Sequence, residues 1–180
     1  KQLSVFLNAK KQFPNVKASL ANSAGVFLGQ SYHLDMVRPG IALYGSGSGS
    51  MHSKPLKQVI KLYSRILQIR TLSTGASVGY GASYRASEPT RVATVGLGYA
   101  DGYLRSLSNC SWVFFNGLRL PVIGRISMDY ITIDITQVAS EKIKTGDFIE
   151  IIGDKFTLDD LATVANTVPH ELLTRLGTRH

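Results

Sequence analysis

Four segments combine glycine, tyrosine and arginine in a way that a plain β core does not require. Glycine lets a backbone approach a ligand closely, and amides, hydroxyls and guanidinium groups bind anions. The segments therefore indicate a site for an anionic group beside exposed phenols. They are ANSAG (21–25), MVRPGIALYG (36–45), SVGYGASYRA (77–86), and the pair GLGYADGYLR (96–105) and GRISMDY (124–130).

The first two segments offer the groups that bind a phosphate ester. Ser23 stands at the predicted start of a short helix, and Gly40 and Ile41 offer backbone amides in a glycine-containing turn. Taken by themselves, these residues are better explained as a helix cap and a turn. Arg38 follows an apolar stretch and precedes Pro39, which is an unusual place for a solvated charge. A structural salt bridge is the ordinary explanation for such an arginine.

The other segments present tyrosines beside glycines. Tyr80 lies between Gly79 and Gly81, an arrangement that exposes a phenol on a bend of the backbone. The alternative is a tyrosine packed in a glycine-rich turn, and we assign that structural role to Tyr84. Asp101 fits a turn residue that binds its own backbone. Met128 by itself indicates core packing.

The composition disfavours nucleic-acid-binding, zinc-binding and membrane-spanning proteins. The chain has 180 residues, one cysteine, four histidines and a net charge of +8. The 20 Lys and Arg are scattered without a run longer than two, which disfavours a nucleic-acid groove. The histidines and Cys110 lack the spacing of a zinc site, and a single cysteine fits a reducing compartment. The sequence lacks the roughly 18 consecutive apolar residues of a transmembrane helix, so we expect a cytoplasmic protein without metal or membrane partners.

The first 44 residues alternate between helix and strand patterns, as in an α/β layer. We predict a helix over 1–13, strands over 16–20 and 34–37, and a short helix capped by Asn22 or Ser23. The chain begins without Met and inside an amphipathic pattern, which indicates a piece of a longer protein. The low-complexity run GSGSGS (45–50) then indicates a flexible loop and a domain boundary.

From residue 56 onward the hydrophobic period changes to two, which indicates a β domain closed as a barrel or sandwich. We predict a bulge near Ile66, a type I′ turn at Asn116-Gly117, and two final helices. Thr157 with Asp160 caps the first of these, which we expect to run to Val168, and the second starts at Pro169 and ends at Gly177. The predicted strands are 57–72, 92–97, 112–115, 118–122, 131–135 and 148–152.

In this order, the four glycine-rich segments resemble the C-terminal half of the alanine racemase family, which are fold-type III pyridoxal-phosphate enzymes. The resemblance covers nearly the whole chain and includes the final HELLTRLG (170–177). It implies an α/β fold: residues 1–45 would be the C-terminal end of a (β/α)8 barrel, joined by a flexible linker (46–55) to an all-β, barrel-like C-terminal domain with short terminal helices (56–180).

The resemblance also implies roles for single residues. Ser23, Gly40 and Ile41 would hold the phosphate of pyridoxal 5'-phosphate, and Arg38 would donate to its pyridine nitrogen. Because arginine stays protonated, that nitrogen would stay unprotonated, which favours return of a proton to Cα over side reactions. Tyr80 would be one of two catalytic bases. The residues near the substrate would be Tyr99, Met128 and Asp129, with Arg105 and Arg125 along an entry corridor.

The activity implied is the interconversion of L- and D-alanine for peptidoglycan synthesis by a homodimer. Tyr80, Tyr99, Met128 and Asp129 would serve the partner's cofactor, and the cofactor-binding residues would serve their own chain. The family's cofactor lysine lies in the barrel half that this sequence does not include, so we expect the chain to be inactive by itself. A phosphate-contacting tyrosine of the family falls nearest His180.

Two classes of alternative stay open. One is another fold-type III enzyme, such as a broad-specificity racemase, a serine racemase or an amino-acid decarboxylase. Arg38 disfavours the decarboxylase, which needs a protonated pyridine nitrogen and therefore a carboxylate partner. The other is a basic β-barrel binding module for nucleic acid, for which aromatic residues should alternate with Lys and Arg. The aromatic cluster of Trp112, Phe114 and Phe115 instead fits the core of a hairpin.

Overall fold

The structure is a computed structural model that describes residues 1–47, 56–177 and Arg179. The chain divides into two compact units, Lys1–Val59 and Ile60–His180. Most of the predicted linker, 46–55, and His180 lie outside the described residues.

The first unit begins with helix α1 (Gln2–Lys10), which ends short of the predicted boundary at Phe13. A short helix α2 (Ser23–Val26) follows, and the Asn22 side chain caps it by accepting from the Gly25 amide at 3.0 Å. A 3₁₀ turn at Ile41–Tyr44 comes after Gly40.

The strands predicted over 16–20 and 34–37 are wrong. The two segments do run side by side, with one parallel bridge between Asn22 and Arg38. The Asp35 amide donates to the Ala18 carbonyl at 3.1 Å, and the Asp35 carboxylate accepts from the Ala18 amide at 2.8 Å. Leu34 has a φ of 52°, which no strand residue adopts. The pair therefore meets in parallel but does not extend into a ladder.

In the second unit the described residues form a closed antiparallel barrel in the order β1-β4-β7-β6-β5-β8. Closure leaves no unpaired strand edge. Its strands are β1 (Leu62–Leu72), β4 (Thr90–Val95), β5 (Trp112–Phe115), β6 (Leu118–Ile123), β7 (Ile131–Asp134) and β8 (Phe148–Ile152). A small ribbon of β2 (Ser77–Val78) and β3 (Tyr84–Arg85) stands outside the barrel.

The hydrophobic alternation of the sequence explains the barrel interior. Ile131 and Ile133 are buried, whereas the intervening Thr132 and Asp134 are half-buried. The register of β1 against β4 shifts between Ile66 and Gln68, so the predicted bulge is confirmed. The bulge lets both halves of this long strand turn apolar side chains inward. Strand β1 starts five residues later than predicted, at Leu62.

The predicted hairpin turn and helix cap are also confirmed. Asn116 and Gly117 both have positive φ, 49° and 81°, as the two central residues of a type I′ turn require. Thr157 and Asp160 form a reciprocal capping box at the start of α3 (Leu158–Val164). Helix α3 ends earlier than Val168 because Asn166 takes a left-handed conformation, with φ 55°.

Helix α4 (Pro169–Arg175) starts at Pro169 as predicted. It ends two residues before Gly177, because Leu176 is already extended. Across the described ranges, no helix has the length and apolarity needed to cross a membrane. No group of three or more His, Cys, Asp or Glu among those residues could hold a metal ion.

The packed interior of the barrel gives a stability prediction. Ile133 is fully buried, so Ile133→Ala should lower the free energy of unfolding by about 2–5 kcal/mol through lost burial and a residual cavity. Urea denaturation measures this loss. Thr132→Ala is the matched control on the same strand, since its half-buried side chain should cost well under half as much. Equal losses for the two variants would contradict a core located on the Ile133 face.

Candidate functional site

Ser23, Gly40 and Ile41 come together in the first unit. Ser23 is the first residue of α2, and its buried Oγ accepts from the Gly40 amide at 2.8 Å and from the Ala42 amide at 3.3 Å. These two bonds use both acceptor positions of the hydroxyl. Within the described part of the chain, no acceptor takes the Ser23 hydroxyl proton or the Ile41 amide proton. The hydroxyl and the Ile41 amide are therefore available to an anion.

Gly40 lies against Ser23. Its amide, which the resemblance implies as a ligand for the phosphate, donates to Ser23 Oγ in this structure. A side chain built at Gly40 would meet no heavy atom within 4 Å. The open space over this glycine would let a phosphate approach the backbone, so the three residues fit a phosphate-bearing cofactor.

Arg38 lies beside this group, at the parallel bridge with Asn22. Its Nη1 donates to Ser19 Oγ at 2.6 Å and to the Ser19 carbonyl at 3.0 Å. These contacts hold an exposed guanidinium in place through neutral groups. No ion pair of Arg38 occurs among residues 1–47, 56–177 and 179, so the salt bridge that would explain it structurally is not seen there. Nη2 also donates to the Leu20 carbonyl at 3.5 Å, so among the residues that the structure describes two of the five N–H donors of the guanidinium stay available to a ligand.

In the second unit, Tyr80 begins a 3₁₀ turn (Tyr80–Ala82) between β2 and β3. Gly79 and Gly81 flank it with φ of 73° and 71°, values that disfavour any other residue. Tyr80 is 72% exposed, so within this unit the phenol is presented on a bend and not packed. Tyr84, by contrast, packs against the buried cluster around Val78 and Val92, in the structural role predicted for it.

The Tyr80 loop, residues 77–85, rests on the segment that starts at Gly124. A Cβ at Gly79 would stand 2.7 Å from the Arg125 amide nitrogen, and one at Gly124 would stand 2.7 Å from Val78 Cγ1. Both glycines are needed because the two chain segments touch. The Arg125 side chain lies beside Gly81, where a Cβ would be 3.1 Å from its Nη1.

The structure also brings Tyr99, Met128 and Asp129 together. The Tyr99 amide donates to the Ser127 carbonyl and the Ala100 amide to the Met128 carbonyl, both at 3.0 Å. A side chain at Gly98 would overlap the Met128 carbonyl. Met128 is 53% exposed, so core packing does not explain it within this unit. Its own amide finds no acceptor in the ranges described, which leaves it able to bind a carboxylate.

Two residues that the sequence reasoning missed hold this arrangement. The Arg179 guanidinium lies 2.8 Å from Asp129 Oδ1 and 3.2 Å from Asp101 Oδ1, and the hydrogen bond with Asp129 and the charge of Asp101 raise the pKa of Arg179. Asp101 also accepts from the Gly98 amide at 2.8 Å, which confirms it as a turn residue. No local signal points to Arg179, because Arg105 and Arg125 lie much closer along the chain to Asp101 and Asp129.

Tyr103 is the second residue missed. It is buried, its amide donates to the Gly98 carbonyl, and its hydroxyl pairs with Ser111 Oγ at 2.8 Å. Burial raises the pKa of the Tyr103 phenol well above its ordinary value. Tyr103 therefore stays neutral and anchors the loop that carries Tyr99. The sequence did not show that Tyr103 is buried while Tyr80 and Tyr99 are exposed.

Known proteins are similar to this chain over nearly its whole length. Residues 1–48 match the family described as alanine racemase, N-terminal domain, and residues 59–180 match alanine racemase, C-terminal domain. The alanine racemase of Rhodospirillum rubrum is 44% identical over 179 residues, which are 99% of this chain and 48% of that protein. A catabolic alanine racemase of Agrobacterium fabrum is 45% identical over 179 residues, 99% of this chain and 46% of the relative.

Solved structures agree. The alanine racemase of Bartonella henselae, a crystal structure with covalently bound pyridoxal phosphate, superimposes with a TM-score of 0.92 at 46% identity, over 99% of this chain and 50% of that one. The biosynthetic alanine racemase of Pseudomonas aeruginosa gives a TM-score of 0.86 at 35% identity, over 99% and 50% of the two chains. The chain thus spans about half the length of the curated relatives it matches, and it belongs to the alanine racemase family.

Proposed function

We propose that this sequence is the C-terminal part of a pyridoxal-phosphate-dependent racemase that interconverts L- and D-alanine for peptidoglycan synthesis. In this proposal residues 1–45 end a (β/α)8 barrel, 46–55 link it to the β domain, and 56–180 form that domain. The observation that carries the proposal is the exposed Tyr80 phenol, held on its glycine bend in a chain of this family.

Ser23, Gly40 and Ile41 are the residues proposed to hold the cofactor phosphate. The Ser23 hydroxyl and the Ile41 amide donate to phosphate oxygens, and the open face of Gly40 lets those oxygens approach. Helix α2 is short, so we assign this binding to the donors themselves and not to a helix dipole.

Arg38 is proposed to donate to the pyridine nitrogen. Pyridoxal phosphate, when bound, withdraws electrons from the Cα of the attached amino acid and so makes its proton acidic. Because the Arg38 guanidinium keeps its protons, it holds that nitrogen unprotonated and tempers the withdrawal. The proton is then returned to Cα in preference to other outcomes, as a racemase requires.

Tyr80 is proposed to accept and return the Cα proton on one face of the substrate, while the family's lysine serves the other. The Met128 amide donates to the substrate carboxylate, with Tyr99 and Asp129 beside it. In the proposed homodimer these four residues of one chain complete the site of the other. Arg125, next to the Tyr80 loop, and Arg105 would attract the zwitterionic amino acid through the entrance.

The nucleic-acid module has less support. The Arg119 guanidinium covers the Trp112 ring at 3.6 Å from its centroid, and the same ring packs on Phe156 with centroids 4.8 Å apart. Phe115 is buried. These aromatics are used in packing the hairpin, so they do not offer the open stacking surface that single-stranded nucleic acid needs.

The proposed role of Tyr80 is tested in the full-length enzyme by Tyr80→Phe. This variant should lose at least about 100-fold in proton transfer on one face only. Solvent deuterium entry should then persist from one alanine enantiomer and nearly stop from the other. Tyr84→Phe, on the same ribbon but packed, should leave both exchange rates close to those of the parent. Equal losses from both enantiomers would argue against a base that serves one face.

The phosphate site is tested by Gly40→Ala. The added methyl group meets no protein atom, so the free energy of unfolding should change little, but it should fill the space that the phosphate needs. We expect the Kd for pyridoxal phosphate to rise by about tenfold or more, corresponding to roughly 1.4 kcal/mol. Absorbance titration of the apoenzyme measures this, with inorganic phosphate as a competitor. An unchanged Kd would remove Gly40 from the site.

The 180-residue chain by itself should not racemise alanine, because the proposed lysine base belongs to the barrel half outside it. Purified chain, pyridoxal phosphate and L-alanine should show a constant optical rotation over hours. The full-length enzyme under the same conditions is the positive control. Sustained loss of rotation with the 180-residue chain would show that its own residues supply both bases.

A further inference from the structure

Three segments of the second unit meet at Asn109, in the loop that precedes β5. Its side-chain Oδ1 accepts from the Gly124 amide at 2.6 Å, and its Nδ2 donates to Ser83 Oγ at 3.2 Å. A backbone amide can only donate, so the side-chain atom facing Gly124 must be the oxygen. This fixes the orientation of the carboxamide and leaves its NH₂ group for Ser83.

Both partners of Asn109 border residues of the proposed site. Ser83 directly follows the 3₁₀ turn that begins with Tyr80. Gly124 begins the segment that leads through Arg125 to Met128. Asn109 therefore ties the end of the Tyr80 loop to the start of the segment proposed to bind the substrate carboxylate.

The Tyr80 loop needs contacts with other segments to hold its backbone in place. The phenol is mostly exposed, so packing within the unit does not fix its position, and the turn itself contributes one hydrogen bond, from the Ala82 amide to the Gly79 carbonyl at 3.2 Å. On its N-terminal side the loop is held by the contact between Gly79 and the Arg125 backbone. On its C-terminal side, Asn109 adds a bond through Ser83 to the pairing of β3 with β2 and the packing of Tyr84.

We propose that Asn109 is a positioning residue. It holds the loop that presents Tyr80 and so affects proton transfer on the substrate face that Tyr80 serves. This inference rests on the proposed function. The neighbouring Ser108 reinforces the same connection, since its Oγ accepts from the Ile126 amide at 3.0 Å and donates to the Arg105 carbonyl at 2.6 Å. Asparagine suits position 109 because its φ is 60°, a left-handed value that asparagine and glycine tolerate.

Three variants of the full-length enzyme separate positioning from folding. Asn109→Gly keeps the left-handed backbone and removes both side-chain bonds. Asn109→Asp keeps an acceptor for Gly124, and its second carboxylate oxygen can accept from the Ser83 hydroxyl, so it keeps both connections without the carboxamide. Ser83→Ala removes the bond between Asn109 and Ser83 from an exposed position, so it stays informative where an Asn109 variant folds poorly. The control is Asn116→Gly, another left-handed asparagine, located at the exposed β5–β6 turn.

The readout is the ratio of solvent deuterium entry from the two alanine enantiomers, with urea stability measured in parallel. Asn109→Gly should lower exchange on the Tyr80 face about tenfold relative to the other face. Ser83→Ala should lower it about threefold, whereas Asn109→Asp and Asn116→Gly should leave the ratio close to that of the parent. A ratio that stays at the parent value in both Asn109→Gly and Ser83→Ala, with stability loss as their only effect, overturns the positioning role.

Tyr80→Phe in the same experiment separates the two possible failures. If Tyr80→Phe changes the ratio and Asn109→Gly and Ser83→Ala do not, the positioning role is wrong and the proposed function stands. If Tyr80→Phe leaves the ratio unchanged, the role of Tyr80 fails and the inference on Asn109 fails with it.

Discussion

Backbone packs directly against backbone where Gly98 meets the Met128 carbonyl, and the loops around the barrel depend on contacts of this kind. Gly79 meets Arg125 in the same way, and Gly102 lies against the Arg175 carbonyl at the end of α4. A side chain at any of these positions would push two chain segments apart. The contacts therefore set the distance between the segments that carry Tyr80, Tyr99 and Met128.

The closed barrel gives these loops a rigid base. Its interior is filled by branched side chains such as Ile133 and Val92, and its strands pair around the full circle. Loops on such a platform can leave side chains exposed and still hold their backbones in place. Tyr80 and Met128 follow this plan: each is exposed, and each lies on a segment fixed by hydrogen bonds or close backbone contact.

Several arginines of the second unit make structural contacts. Arg179 is committed to Asp101 and Asp129 and stabilises the two loops. Arg119 covers Trp112, and Arg65 lies over the Phe148 ring at 4.5 Å. Some of the basic side chains behind the net charge of +8 therefore pack on aromatic rings or join two loops. This explains why a basic composition without a basic run does not need a nucleic-acid partner.

In the first unit, the short local signals are confirmed and the longer strand patterns are not. The helix at Ser23 and the turn at Gly40 form as the residues suggest, and they meet through one hydroxyl. The strands predicted over 16–20 and 34–37 do not form, because the two segments share a single parallel bridge and no continuous ladder. Leu34 turns the chain away, and the Asp35 carboxylate takes the amide bond that a ladder would use.

The sequence by itself determined most local features of this protein. Period-two alternation located the barrel strands, Asn116-Gly117 specified its hairpin, Thr157 with Asp160 started a helix, and the glycines around Tyr80 specified an exposed phenol. These signals act within a few residues, so they can be read in order along the chain. Strand ends depend on pairing partners, so β1 starts at Leu62, opposite the last residue of β8, and not at residue 57.

Tertiary structure alone decided which distant residues meet. The barrel order places β4 between β1 and β7, Arg179 joins two loops, and Asn109 reaches both Ser83 and Gly124. It also gave the Gly40 amide to Ser23, although the sequence suggested that it would face a ligand. Each of these pairings spans at least 15 residues of chain, and folding decides them because they need the packed core to bring their partners within hydrogen-bond distance.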